Sequence, residues 1–325
     1  MSEANFEKSQ SLWKDAFHRL QRNRAAMVSI VVLIVIIVGC IVLPLIDGLL
    51  QNPNSQNLPN KNLGPSGAHW FGTDHLGRDI FSRVLYGGRI SIAVGLVTTF
   101  VAVIVGVCWG AISGYAGGKL DAFMMRVVDV LYALPFLIIV ILVGKTLEPF
   151  TVELTNRVVE MVSSAGATTM EVNETRAWIE PITTLVPLFI AIGVLSWLTV
   201  SRIVRAQVQS VAKQEFVEAA RSLGLGPVRI LFRHILPNTI GPIIVYSTLT
   251  IPSVMLLEAT MSFLGMGVRP PYSSWGVLID EGANRMISNP SLLIFPTLFF
   301  SATLFSLNFL GDGLRDAMDP KSAKD

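Results

Sequence analysis

Apolar residues in this chain gather into long uninterrupted runs instead of alternating with polar ones. Residues 25–45 and 90–112 carry no charged side chain, and neither do 182–201, 239–257 and 291–311. Each run reaches the roughly 20 residues a helix needs to cross a hydrocarbon core about 30 Å thick. A sixth run, 130–144, is shorter; it reaches that length if it starts near Phe123 and takes in Arg126 and Asp129. The pattern predicts an all-α polytopic membrane protein with six transmembrane helices, and shows no 20–50-residue repeat.

Composition agrees. The 325 residues are 51% hydrophobic and 15% charged, against about 25% charged in soluble domains. Disorder, a collagen repeat and a disulfide scaffold are excluded. Cys40 and Cys108 both sit inside apolar runs, which argues against a disulfide or a four-ligand metal site. The net charge of +2 points to no partner.

The distribution of Lys and Arg sets the expected orientation. Lys8, Lys14, Arg19, Arg22 and Arg24 precede the first span, and Arg202, Arg205, Lys213, Arg221, Arg229 and Arg233 lie between spans four and five. Between spans three and four, Glu148, Glu153, Glu160, Glu171, Glu174 and Glu180 outnumber Lys145, Arg157 and Arg176. An even number of spans with this bias places both termini in the cytoplasm. The first run is too long for a signal peptide and lacks a small-residue cleavage site, so it reads as a retained anchor. The expected organisation is a cytoplasmic tail at 1–24, a first span at 25–46, an external loop at 47–89, a five-span core at 90–312 and a cytoplasmic tail at 313–325.

Gly106, Gly110 and Gly114 share one face of span two, where they permit close helix approach. Pro135, Pro187, Pro242, Pro252 and Pro296 lie in or near spans, where bundle neighbours can satisfy freed carbonyls. Gly144-Lys145-Thr146 resembles the end of a phosphate-binding loop, but Ile139 stands where that motif requires glycine. His18, His69, His75 and His234 have no metal-ligand spacing; His69 and His75 flank Asp74 in a loop and read as ordinary loop residues. Asp129 and Glu258 lie near membrane ends and are the best candidates for intramembrane ionisable groups, Asp129 expected to pair with Arg126 one turn earlier. Tyr132, Ser196, Trp197, Tyr246 and Asn308 are polar or amphipathic positions within spans, explained by packing as readily as by a pore.

The segment QEFVEAARSLG, residues 214–224, places Phe216, Ala220 and Leu223 at helical spacing, with Glu215, Glu218 and Arg221 turned elsewhere. Gly224 and Gly226 stop that helix, and Pro227 suits the first turn of the next. A short amphipathic helix between two spans either docks into a partner's groove or shields the end of the bundle. Composition does not separate the two.

Glu218-Ala219-Ala220, then Gly224, then Leu236-Pro237 resembles the EAA loop of ATP-binding-cassette importer permeases. His234 stands where the broad family usually has isoleucine, and the string from Arg233 to Asn238 is similar to that of the peptide-transporting branch. Ser11-Leu12-Trp13, Asn23-Arg24-Ala25-Ala26, Phe71-Gly72-Thr73-Asp74, Gly77-Arg78-Asp79, Ser262-Phe263-Leu264-Gly265, Ser273-Ser274-Trp275-Gly276 and Asp319-Pro320 resemble the oligopeptide/dipeptide permease C subunit. The resemblance covers nearly the whole chain. It departs at about 145–181, where this family usually has a much shorter external connection and this chain holds a segment, VELTNRVVEMV, with an amphipathic helical pattern.

The resemblance implies a type I importer permease fold with a coupling loop at about 205–238. Glu215, Phe216, Glu218, Ala219, Ala220, Gly224, Arg233 and Pro237 would contact the ATPase. It implies no catalytic residue, metal or cofactor on this chain, since ATP and Mg would be bound by partner subunits. The implied partners are a homologous second permease, two ABC ATPase subunits, an external peptide-binding protein and the lipid bilayer, with no nucleic acid. Nickel, glutathione or another small solute is the rival cargo. A secondary transporter would need more intramembrane charge and inverted repeats, and a membrane-embedded enzyme would need clustered His, Asp or Glu within the spans.

Overall fold

The structure, a computed structural model, describes residues 12–46, 48–164, 168–270 and 272–318. Lys8, Ser11, Asp319 and Pro320, which belong to the expected tails and motifs, lie outside the described residues, as does the middle of the 145–181 segment. Apart from a single bridge between Thr73 and Asp79, every regular element among the described residues is helical.

Helix α1 (Leu12–Arg22) ends at Asn23, whose side-chain oxygen accepts the Ala26 amide and caps α2 (Arg24–Val42). Since α2 is apolar on all sides, packing decides which face is inside. Ala26, Ser29, Leu33, Ile36 and Cys40 are buried at alternating spacings of three and four. Val28, Val31, Val35, Val38 and Val42 repeat that spacing on the opposite, exposed face, as expected of a lipid-facing surface.

Helix α3 (Ile80–Ala116) starts on Asp79, whose carboxylate accepts the Ser82 amide and hydroxyl, both at 2.8 Å. Gly117, at positive φ, turns the chain into α4 (Gly118–Ala133), which is followed by α5 (Phe136–Ser164). The third span differs from the continuous helix expected over about 123–144. α4 and α5 meet at 89°. Leu134 adopts extended geometry (φ −75°, ψ 141°) because the ring of Pro135 disfavours the helical region for its predecessor. Five helical segments are each long and apolar enough to cross a membrane, and this bent pair passes the same length and composition test when its two helices are taken together.

Helix α6 (Thr169–Val211) opens on a capping box between Thr168 and Glu171. Its apolar section is Leu185–Val211, so residues 169–184 extend about 24 Å beyond it at roughly 1.5 Å per residue. The 145–181 stretch therefore comprises two helical extensions, α5 and α6, on either side of residues 165–167. α7 (Glu215–Ser222) and α8 (Pro227–Ile230) follow at the opposite end of α6.

The fifth span runs from Pro227 to Phe263, well before the expected start near 239, through α8, a π-turn at Leu231–Ile235 and α9 (Leu236–Phe263). Pro237 has no amide to offer the Arg233 carbonyl, and the helix widens at that point instead of ending. A short α10 (Trp275–Ala283) and the last span, α11 (Ser291–Met318), complete the chain.

α3 and α6 form the central pair. A Cβ on Gly106 would lie 2.6 Å from Val200 Cβ, on Gly110 2.4 Å from the Ser201 carbonyl oxygen, and on Gly114 2.8 Å from that of Arg205. The small-residue face read from the sequence is the face that α6 occupies.

At the end of the bundle far from α7, the loop before α3 is fastened by charge. Asp74, fully buried, accepts from Arg78 Nε at 2.7 Å and Arg83 Nη1 at 2.8 Å; Arg83 also reaches Glu281 of α10 at 2.8 Å. Burial raises the Asp74 carboxyl, but Arg83, the Arg78 and Leu76 amides and the Arg78 guanidinium outweigh it and hold it below the ordinary carboxylate value. His69 meets Asp79 at 3.0 Å within the same loop. Glu258, also fully buried, accepts from Ser274 at 2.6 Å, Ser262 at 3.0 Å and Ser91 at 3.3 Å, and the Trp275 indole donates to the Val84 carbonyl at 2.9 Å. The motif residues at 74–79, 262 and 274–275 thus join α3, α9 and α10 into one cap.

Candidate functional site

α7 is set at a fixed angle against the bundle. Val217 and Ala220 are buried and pack with Val208, Val211, Ile230 and Ile235. Its far end closes in a Schellman motif: the Leu225 amide donates to the Ala220 carbonyl at 3.2 Å and the Gly224 amide to that of Arg221 at 2.9 Å, with Gly224 at φ +75°. The Arg221 guanidinium lies over the Tyr115 ring at 5.8 Å, tying α7 to the end of α3.

The buried face differs from the one read from spacing. Phe216 and Leu223, expected on the apolar face with Ala220, point outward, and Leu223 is 80% exposed. Val217 takes the inward position because the turn after Val211 sets the phase of α7. Glu215, Glu218, Ala219 and Gly224 are exposed, as are Arg233 in the π-turn and Pro237 after it. With Val228 and Phe232 (68% and 64% exposed), Phe216 and Leu223 leave apolar side chains open on this end of the molecule.

Just inward of α7, two charge clusters join helices. Asp121 of α4 receives both guanidinium arms of Arg205 at 2.5 Å, the Ser113 hydroxyl at 2.5 Å and Gln209 at 3.3 Å, linking α3, α4 and α6. Asp129 pairs with Arg202 of α6 at 2.7 Å and not, as expected, with Arg126. Arg202 also lies over the Tyr132 ring at 4.0 Å, and the Tyr132 and Thr199 hydroxyls meet at 2.5 Å. Sequence reasoning missed Asp121. Its signal was a second carboxylate, Asp121, on the helix of Asp129, with two arginines, Arg202 and Arg205, on another helix.

Above these clusters a groove of about 480 Å³ runs between the α4–α5 bend, α6 and α9. Its walls are mainly aliphatic, with Tyr132, Ser196, Thr199, Tyr246, Thr250 and Ser253 spaced along them. Three of the five polar span positions noted in the sequence, Tyr132, Ser196 and Tyr246, therefore share one surface. Trp197 instead packs on Trp109 at 5.1 Å, and the Asn308 amide donates to the Leu304 carbonyl at 2.8 Å.

Comparison with known proteins agrees with this architecture. The family described as "binding-protein-dependent transport system inner membrane component" matches residues 106–324, and "N-terminal TM domain of oligopeptide transport permease C" matches residues 11–65. The oligopeptide transport system permease protein OppC of Haemophilus influenzae is 40% identical over 96% of this chain and 89% of its own. The dipeptide transport system permease protein DppC of Bacillus subtilis is 38% identical over 96% and 87%. The glutathione transport system permease protein GsiD of Shigella dysenteriae is 35% identical over 95% and 90%. Among solved structures, an inward-facing MetNI methionine ABC transporter chain superposes with a TM-score of 0.51 at 16% identity, covering 72% of this chain and 96% of its own. That likeness establishes the shared fold.

Proposed function

The chain belongs to the family of binding-protein-dependent transport system inner membrane components, and we propose that it is the C-type permease subunit of an importer for oligopeptides or dipeptides. It is a multi-pass inner-membrane permease of an ATP-binding-cassette transporter. The observation that carries the reading is the continuous similarity to oligopeptide permeases across 96% of the chain.

In the complete importer this chain pairs with a homologous second permease, two ATPase subunits and an external peptide-binding protein. ATP and Mg are held by the ATPase subunits, and no reaction takes place on this chain. Both termini and α7 face the cytoplasm, and the α5–α6 extension faces outward. α7, through Glu215, Phe216, Glu218, Ala219, Ala220 and Gly224, with Arg233 and Pro237 beside it, seats against an ATPase subunit. The exposure of that surface supports the assignment, as does the buried attachment of α7 through Val217 and Ala220.

A helix fixed to α6 and α3 moves as one body with them, so displacement of α7 would tilt the spans between outward-open and inward-open arrangements. The test uses Glu218→Arg and Gly224→Asp in the assembled importer. Both variants are expected to insert into the membrane and to lose ATP-driven uptake. Normal uptake by a well-inserted Gly224→Asp protein contradicts the coupling role.

A further inference from the structure

A second cavity, of about 320 Å³, lies along the same three helices as the groove, one turn further from α7. Phe136, Leu195 and Leu257 line the groove, and Val140, Ala191 and Met261, each four residues away towards the hairpin end, line the cavity. Between the two lies a packed apolar layer: Val140, Ala191, Leu195 and Met261 are all less than 5% exposed. The cavity is therefore closed from the groove and open towards the α5–α6 extension.

Its walls are charged where the groove's are not. Lys145, Arg176 and Arg269 face it, and Glu148 is the one carboxylate of the lining among the described residues. Glu148 is already engaged, by Arg269 and by Lys145 at 3.6 Å. Among the described lining residues, three cations against one carboxylate leave an excess of positive charge. Thr151 and Asn156 add hydrogen-bonding groups at the rim. Arg176, Thr151 and Asn156 all come from the 145–181 stretch, the part of the chain that departs from its family's pattern.

We infer that this cavity is an outer binding site for an acidic side chain of the arriving substrate, built in part by the helical extension. The inference rests on the importer reading, which makes this end of the bundle external. Charge complementarity supplies the argument for the occupant, and alignment with the groove along the same three helices supplies the argument for its path. A carboxylate held at Arg176 and Arg269 stops above the apolar layer, and parting of α5, α6 and α9 by one turn's depth would admit it to the hydroxyl-bearing groove below.

The test uses the full importer in proteoliposomes, with internal ATP and saturating binding protein. Labelled Ala-Glu-Ala and Ala-Gln-Ala, which differ in one charge at nearly equal shape, are supplied in parallel. R176Q/R269Q is expected to lower uptake of the acidic peptide about fivefold, the scale of a half-exposed ion pair, and to leave that of the neutral one unchanged. R176K/R269K, which keeps the charge, is expected to retain most of the preference. An unchanged ratio of the two uptakes overturns the inference. So does an equal loss of both, which would mark the cavity as a structural element or a docking surface for the binding protein. Failure of the wild-type importer to accumulate either peptide would instead overturn the importer reading itself, and this inference with it.

Discussion

Gly110→Ala measures how much of the architecture depends on the α3–α6 contact. The added methyl would stand 2.4 Å from the Ser201 carbonyl oxygen, 2.9 Å from Val204 Cβ and 3.0 Å from the Arg205 amide nitrogen. Two of these three atoms are backbone, so no rotamer change relieves the contact, and Ser201 and Val204 are themselves fully buried. The helices must separate by about 1 Å to restore ordinary contact distances. Overpacking of this kind costs about 1–3 kcal/mol. Gly193→Ala, in the interior of α6, is the matched control: its methyl meets only Thr98 Cγ2, at 3.8 Å. Both substitutions add the same group to a membrane helix, so their difference isolates the clash. Thermal unfolding of the purified importer in detergent is expected to rank wild type and Gly193→Ala together, with Gly110→Ala clearly lower. If Gly110→Ala is as stable as Gly193→Ala, the α3–α6 pair is not close-packed through its glycine face and the fold account fails there.

Asp74 gives a pH prediction. Its carboxyl is held below the ordinary value of 3.8, so its contribution is complete above that pH and declines as pH falls through the lowered value. Unfolding is expected to be insensitive to this group down to about pH 4 and to steepen below it; in Asp74→Asn, that acid dependence should vanish along with part of the stability at neutral pH. Val217 and Leu223 make a contrasting pair. Val217→Ala empties a fully buried position and should cost about 2 kcal/mol of stability. Leu223→Ala should leave stability within about 0.5 kcal/mol and weaken association with the ATPase subunits about tenfold in a binding titration. Asp121→Asn removes the charge that receives Arg205 at 2.5 Å. It should lower uptake more than it lowers peptide binding to the external binding protein.

The spans were legible because a membrane helix must satisfy its own backbone and be apolar along its length, and both demands leave one-dimensional traces. The third span was the exception. Its apolar run and the charged residues before it read as one helix, whereas Pro135 breaks that run through Leu134, a local rule outweighed in the reading by the length criterion. The glycine face of α3 was legible from its four-residue spacing. The phase of α7 was not: Phe216, Ala220 and Leu223 satisfy helical spacing as well as Val217 and Ala220 do, and only the path of the chain out of α6 selects between them. Ion pairs were the least legible feature. Asp129 had a cation one turn away in sequence, and its actual partner, Arg202, is distant in sequence and on another helix.

The central claim is that this chain conducts peptides under ATP control. Its most direct test is uptake of a labelled short peptide into proteoliposomes holding the full importer and its binding protein, with and without internal ATP and with nickel as a competing solute. The account predicts peptide accumulation that requires ATP and is indifferent to nickel. Accumulation of nickel in place of peptide would overturn the substrate, and uptake indifferent to ATP would contradict the account as a whole.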